Sequence, residues 1–327
     1  MTFKKIKNKL LLFLILTFII ILPISVKAYS KKVILGGENI GISVKSQGIL
    51  IVGFYNVNGV SPGDQAGLKV GDIITMIDDN EVSSIKDFTS LVNDSKTLKI
   101  NYKRGGKFYN TLLTIKKDND GNYKTGLYVK DSITGIGTLS FIDPYTKRFG
   151  ALGHEINEST TGMRFDISDG SIFKTEITSI TKSERGSAGE KNASYDNSYI
   201  YGEVDKNNSS GIFGNYTKSY DEEKLIDIAT SDEVKIGDAS IYTVISGNDP
   251  EEFKIKILNV SNATDGKNIL FEVVDQELLN VSNGIVQGMS GSPIVQNNKL
   301  IGAVNYVILD NPHKGYGIFI ESMLKES

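Results

Sequence analysis

The chain has no cysteine in its 327 residues. A thiol nucleophile, a thiolate zinc site and a disulfide framework are therefore excluded, and the fold is held by packing alone. Histidine is nearly as scarce, with His154 and His313 the only two. Any chemistry that needs a side chain titrating near neutrality has little choice of group. Neither G-x-x-x-x-G-K-S/T nor H-E-x-x-H occurs, so no nucleotide or metal cofactor is implied. Positive charge is short as well. Five lysines and no acid fall within residues 1–28, and without them the net charge moves from −3 to −8. Such a surface does not suit a polyanion, and a nucleic-acid partner is not expected. There is no internal repeat and no low-complexity segment.

What is present is organised in three parts. Lys4, Lys5, Lys7 and Lys9 precede an apolar run from Leu10 to Val26, and Val26-Lys27-Ala28 offers small residues for cleavage. This is the order of a secretory signal. Retained, the same run is about long enough to anchor the chain in a bilayer. Either way residues 1–28 predict export across a membrane, an envelope location for the remainder, and membrane association through this segment if it is kept.

Residues 30–117 read as a small α+β domain. Gly48–Val52 and Asp72–Ile77 are strand-like, and Gly59–Leu68 forms a loop with one short helical turn. Ser84 and Asp87 make a capping-box pattern ahead of Ile85, Phe88, Leu91 and Val92 at helical spacing, which predicts a helix from Ser84 to Asn93. Arg104-Gly105-Gly106-Lys107 supplies a hairpin turn. The stretch S-P-G-D-Q-A-G-L-K-V-G-D-I-I, ending at Ile74, resembles a PDZ domain of the kind attached to bacterial envelope proteases. Such a domain takes a peptide as an added strand and holds its carboxylate on backbone N–H groups. The resemblance places that capture loop at Ile40-Gly41-Ile42, beside the Ser84–Asn93 helix, with C-terminal peptides or a second copy of the chain as ligand.

Residues 120–327 read as short β runs, among them Gly135–Phe141, Glu176–Ile180 and Lys254–Val260, separated by Gly, Asn and Ser. Many short strands with turns predict a barrel or sandwich. The chain is thus expected to be mostly β, and residues 183–222 to form a polar, irregular excursion. Gly288-Met-Ser-Gly-Ser-Pro293, followed by an apolar hairpin, is the main chemical signal. A nucleophilic serine must be presented on a tight turn beside backbone N–H groups that stabilise an oxyanion. Here Ser290 is the candidate nucleophile, and the N–H groups of Gly288 and Ser290 are the candidate oxyanion donors. The pattern resembles the nucleophile loop of chymotrypsin-like proteases; Ser292, before Pro293, fits packing better. His154, in Phe149-Gly-Ala-Leu-Gly-His-Glu-Ile156, is the candidate base, and His313 lies in a polar turn. Residue chemistry alone leaves the orienting carboxylate open among Asp275, Asp143, Asp166 and Glu155.

Gly-Ala-Leu-Gly-His, Gly284-Ile-Val-Gln-Gly-Met-Ser-Gly-Ser-Pro293, Gly186-Ser-Ala-Gly-Glu190, Gly211-Ile-Phe-Gly214 and Gly315-Tyr-Gly-Ile318 together resemble the stage IV sporulation protein B peptidases. The similarity runs from about Val33 to Leu324. It implies a serine endopeptidase with His154, Asp275 and Ser290 as its triad, no cofactor, and self-cleavage near the N-terminus. It also implies a membrane-anchored sporulation regulator as protein substrate, cut between the spore membranes to trigger intramembrane proteolysis and activate a late sigma factor. Where family members often carry Thr-His after Gly302-Ala-Val, this chain has Asn305-Tyr306. The competing expectation, from a different class, is an idle PDZ adaptor that binds envelope proteins.

Overall fold

A computed structural model describes residues 30–92 and 96–327. The expected signal or anchor lies outside the described residues, as does Asn93, the expected end of the PDZ helix. Among the described residues no helix is long and apolar enough to cross a membrane.

The chain is mostly β, as expected. The N-terminal strands are β1 (Lys32–Leu35), β2 (Asn39–Phe54), β3 (Ile73–Ile77), β4 (Asn80–Glu81), β5 (Thr97–Arg104), β6 (Lys107–Thr114), β7 (Lys116–Lys117) and β8 (Tyr123–Lys124). There follow β9 (Leu127–Ile142), β10 (Arg148–Ala151), β11 (Ile167–Thr181), β12 (Glu190–Asn208), β13 (Gly211–Tyr216) and β14 (Leu225–Ile228). The last are β15 (Gly237–Thr243), β16 (Glu251–Val260), β17 (Ile269–Val273), β18 (Pro293–Gln296), β19 (Lys299–Val307) and β20 (Lys314–Phe319).

The PDZ-like part folds as its sequence pattern requires. The Ile85–Val92 helix begins at a reciprocal cap, in which Asp87 N–H donates to Ser84 Oγ and Ser84 N–H to the Asp87 carboxylate, both 3.1 Å. Phe88 and Val92 turn inward onto a core of Ile49, Ile51, Ile74, Leu98 and Ile100. Gly105 and Gly106, at φ +55° and +81°, close the β5–β6 hairpin with the left-handed pair that suits strand twist. Asp72, fully buried, accepts two hydrogen bonds of 2.6 Å from Arg104 and one of 2.7 Å from Lys69 N–H, pinning the turn into β3.

Three apolar clusters make up the rest. One gathers Ile42, Leu139, Phe149, Leu152, Ile172 and Ile212 from β2 and β9–β13. A second gathers Ile241, Phe253, Phe271, Met289, Ile294 and Val304 from β15–β20 and the loop before β18. A third, with Phe141, Phe213, Leu300 and Ile320, lies where the two sets of strands meet.

The division at residue 117 does not follow the strand pairing. β1 pairs with β14 and β9, and the first half of β2 pairs with β9 on one side and β11 on the other. The second half of β2 then enters the PDZ-like sheet through Ile49 and Leu50 against β3. One sixteen-residue strand therefore belongs to both bodies. It is buried from Asn39 to Ile42 and again from Gly48 to Ile51; Ile40 and Ile42 pack into one core, and Ile49 and Ile51 into the other. The expected excursion at 183–222 is also largely regular. It holds β12, which forms a long hairpin with β11, and β13, and it reads as polar because every residue of β12 from Ser194 to Ile200 is exposed, Tyr195, Tyr199 and Ile200 among them.

Candidate active site

The nucleophile loop is shaped by two glycines. Gly288 and Gly291 have φ of +92° and +94°, a region that glycine alone enters cheaply. A Cβ on Gly291 would stand 2.1 Å from the Thr138 carbonyl oxygen and 2.5 Å from Leu152 N, so the loop lies directly on β9 and on the turn after β10. Thr138 fastens it there: its N–H donates to the Ser290 carbonyl (3.0 Å) and its hydroxyl to the Gly288 carbonyl (2.8 Å). Ser140 Oγ adds a bond of 2.7 Å to the Gly291 carbonyl.

Within this loop the backbone donors divide into two groups. Met289 N–H bonds the Val286 carbonyl, Gly291 N–H that of Val304, and Ser292 N–H that of Met289. Gly288 N–H and Ser290 N–H donate to no group of the protein among the described residues. Buried N–H groups are normally paired, so two free ones flanking Met289 stand ready for an acceptor from outside. The Ser290 hydroxyl donates to the Asn305 carbonyl at 3.3 Å. Ser292 is fully buried, with its hydroxyl 3.5 Å from Thr138 Oγ1, in keeping with a packing role.

His154 arrives from the other set of strands. After β10, Leu152 and Gly153 take φ of +69° and +73°, and this left-handed pair swings the imidazole into the cleft. For a leucine such a backbone costs on the order of 1–3 kcal/mol, a strain that packed surroundings must impose. Nδ1–H donates to the Glu155 carbonyl at 2.9 Å, which fixes the tautomer and leaves Nε2 as acceptor. The ring stacks on Tyr306, centroids 5.7 Å apart and planes 18° from parallel. Burial pushes the imidazole pKa below its ordinary value, against the opposing pull of the Glu155 carbonyl and carboxylate. His154 and Ser290 line one cavity of about 610 Å³, with walls from Ile42, Ile133, Leu152, Ile285, Val286 and Leu309. β19 touches both groups, through Asn305 at the serine and Tyr306 at the histidine.

Asp275 is not part of this constellation. Its carboxylate caps the Gln276–Ser282 helix, accepting from Glu277 N–H (3.0 Å) and Leu278 N–H (3.3 Å), and takes Lys254 N–H of β16 at 3.3 Å. The acceptor at His154 Nδ1 is a backbone carbonyl instead. Asp143 is spent on the β9–β10 turn through Tyr145 N–H and Thr146 N–H, and Asp166 sits between Lys103 and Arg164. Of the four carboxylates considered, only Glu155 lines the cavity. His313 stands apart, its Nε2 3.1 Å from the Asn283 amide oxygen.

The expected PDZ capture loop is corrected too. Ile40, Gly41 and Ile42 lie inside β2, paired with Gly137, Ile136 and Gly135 on one side and with Lys174, Phe173 and Ile172 on the other. Both ladder edges are taken, so no set of N–H groups is left there to hold a carboxylate. The Ile85–Val92 helix instead meets β9, whose Asp131 accepts the Ile85 N–H at 2.8 Å.

Several participants carry no motif of their own. Thr138 reads as an ordinary strand residue, and Tyr306 as a departure from the family pattern. The segment Gly186–Glu190 does have a sequence signal, and its place explains it. Gly189 accepts Gln287 N–H (2.8 Å), Lys191 N–H donates to the Gln287 carbonyl (3.0 Å), and Ser183 Oγ donates to the Ile285 carbonyl (2.7 Å). This turn buttresses the approach to the nucleophile loop.

A serine on a glycine-lined turn with free backbone donors, sharing a cleft with an imidazole, is the arrangement of the serine peptidase class. Comparison with known families narrows this. Residues 121–324 match the SpoIVB peptidase S55 family, and residues 38–115 match the PDZ domain. The first match spans well over half of the chain, and the protein belongs to the SpoIVB peptidase S55 family, a family of serine peptidases. Among solved structures, the PDZ domain of an SdrC-like protein from Listeria monocytogenes is 29% identical over 26% of this chain and 90% of its own, with a TM-score of 0.23. No curated protein sequence matches the chain.

Proposed function

We propose that the protein is an active serine endopeptidase in which Ser290 attacks the scissile carbonyl and His154 Nε2 takes its proton. Attack forms the Ser290 Oγ–carbon bond and places negative charge on the former carbonyl oxygen. The free N–H groups of Gly288 and Ser290 receive that charge, and this pair of unengaged donors is the observation that carries the reading. The protonated imidazole then returns its proton to the leaving amine. The Glu155 carbonyl holds the tautomer that the family's aspartate is expected to hold. In the described arrangement the Ser290 hydroxyl rests on the Asn305 carbonyl, so a substrate strand entering along β19 has to turn it toward His154. The apolar walls suit substrates with a bulky aliphatic or aromatic residue at the cut. On this reading the substrate is a membrane-anchored regulator of sporulation, reached after export between the spore membranes, with self-cleavage as a parallel reaction; membership of a sporulation peptidase family supports it.

The test is labelling of the full chain by an alkyl fluorophosphonate. Phosphonylation forms the Oγ–phosphorus bond, releases fluoride and passes the proton to His154. Label confined to Ser290, and lost in Ser290→Ala and His154→Ala, is the expected result. A folded protein that takes no label would leave the adaptor reading standing.

A further inference from the structure

The side chain that the peptidase reading leaves without a task is Lys191. It is buried on β12, 3% exposed, and among the described residues no carboxylate pairs with it. Its ammonium nitrogen donates to Asn39 Oδ1 of β2 at 2.9 Å and to Thr243 Oγ1 of β15 at 2.8 Å, both neutral groups. Burying a lysine without a counter-ion is expensive and uncommon. Its stem does something specific: a Cβ on Gly288 would lie 3.2–3.3 Å from Lys191 Cβ, Cγ and Cδ. The lysine stem is therefore the wall against which the first oxyanion donor is set. With bond lengths near 1.5 Å, the nitrogen stands no more than roughly 7 Å from the Gly288 Cα.

We propose that Lys191 is a positioning residue of this peptidase site, a buried cation that sets the backbone of Gly288 and lends positive charge to the oxyanion. The proposal rests on the reading of Ser290 as nucleophile. Three elements converge on this residue: β2 and β15 on its side chain through Asn39 and Thr243, and the nucleophile loop on its backbone through the Lys191 N–H bond to Gln287. Asn39 is itself held by Thr175 Oγ1 at 3.4 Å, so the acceptor is fixed in place. The nitrogen's bonds run to Asn39 and Thr243, so it acts on the oxyanion through space and through Gly288, without contact. An oxyanion on the Gly288 N–H stands at most roughly 11 Å from this charge, which at an effective dielectric near 20 is worth at least about 10-fold in rate.

The surrounding titratable groups do not substitute for it. Glu190 and Tyr195 on its own strand line the neighbouring hollow, and Tyr242 precedes Thr243 on β15. Glu38, beside Asn39, is paired with Lys224 at 2.6 Å, and His154 lies across the active-site cavity. Desolvation alone lowers the Lys191 pKa to about 7, with no charged neighbour contributing. The cation is consequently present only up to near-neutral pH.

The experiment is the rate of fluorophosphonate labelling, and of peptide hydrolysis, from pH 5.5 to 9 for the full chain, Lys191→Met and Asn39→Asp, with melting temperatures alongside. The parent should lose rate as pH rises through about 7. Lys191→Met, which keeps the stem and drops the charge, should remain folded and lose at least about 10-fold in kcat with KM little changed. Its profile should lack the alkaline fall. Asn39→Asp sets a carboxylate on the ammonium and should carry that fall to higher pH. Lys191→Met reacting at the parent rate across the range would overturn the proposal. So would a uniform loss with a lowered melting temperature and an unchanged pH profile, which marks a structural residue only. A folded parent that takes no label at any pH overturns the peptidase reading and this proposal with it, whereas a labelled parent isolates the failure to Lys191.

Discussion

Asp275 separates two accounts of the same residue. As the orienting member of a triad it cannot be replaced by asparagine, because the amide presents the wrong group to the imidazole; the corresponding change in a serine protease costs about 10⁴ in turnover. As a helix cap it can, since asparagine and aspartate cap about equally well. The structure gives Asp275 three backbone donors, from Glu277, Leu278 and Lys254. Asp275→Asn is therefore expected to keep most of these bonds, to stay within about 0.5 kcal/mol of the parent in stability, and to label at a rate within a few fold. Asp275→Ala loses the cap and leaves Lys254 N–H unpaired, a cost of about 1–2 kcal/mol. Its helix leads into Ile285 and Gly288, so some rate is lost there by misplacement. The assay is fluorophosphonate labelling of Ser290 on both variants, beside urea unfolding of each. An asparagine variant of parental stability whose labelling falls by 10³ or more would refute the cap assignment and restore Asp275 to the imidazole.

Gly291→Ala should drop labelling at least 100-fold and lower the melting temperature, because its Cβ would strike Thr138 and Leu152 at a φ of +94°. Gly186→Ala, at φ +89° with open space around the Cβ, should cost only the backbone strain, about 1 kcal/mol, and comparison of the two melting curves tests this. The Lys191 pKa falls from 10.5 unfolded to about 7 folded, so the unfolded chain binds the extra proton in between and stability should rise from pH 7 to 10.5. The slope is about 1.4 kcal/mol per pH unit. Lys191→Met should flatten it in urea titrations, and an equal slope in both proteins would contradict the burial. Burial holds the His154 pKa below its usual value, so the acid limb of the labelling rate should fall below about 6.5. The same depression makes His154 oppose folding as pH drops through 6.5, which unfolding of His154→Ala checks. Asp72→Ala should destabilise the PDZ-like body by about 1–2 kcal/mol, since it leaves the Lys69 N–H and the solvent-reaching Arg104 without their acceptor; urea unfolding indistinguishable from the parent would refute it.

How much of this was legible in the chain varies with the range of the interactions. Local rules sufficed for the Ser84–Asp87 cap, the Gly105-Gly106 hairpin and the turn through Asp72, because each is closed by residues a few positions apart. The nucleophile loop was legible for the same reason: Gly288 and Gly291 flank Ser290, and their conformations belong to that turn. Scarcity made His154 legible, since only two histidines were available and the other has a different setting.

Pairing partners far apart in sequence were not legible. Ile40-Gly41-Ile42 has the composition of a capture loop, yet its N–H groups are consumed by β9 and β11, strands more than ninety residues away. The 183–222 segment looked irregular because a strand exposed throughout its middle carries little apolar signal. Asp275 illustrates the same limit, since a carboxylate before a helix suits both a cap and a triad by composition. Local sequence thus determined the β character, the turn around Ser290 and the candidate base. Tertiary structure alone decided that β2 serves both bodies, that a backbone carbonyl holds His154, and that a lysine with no counter-ion backs the Ser290 loop. The physical reason is that turns and caps are closed within a few residues. Burial, charge and ladder pairing depend on what the rest of the chain brings alongside.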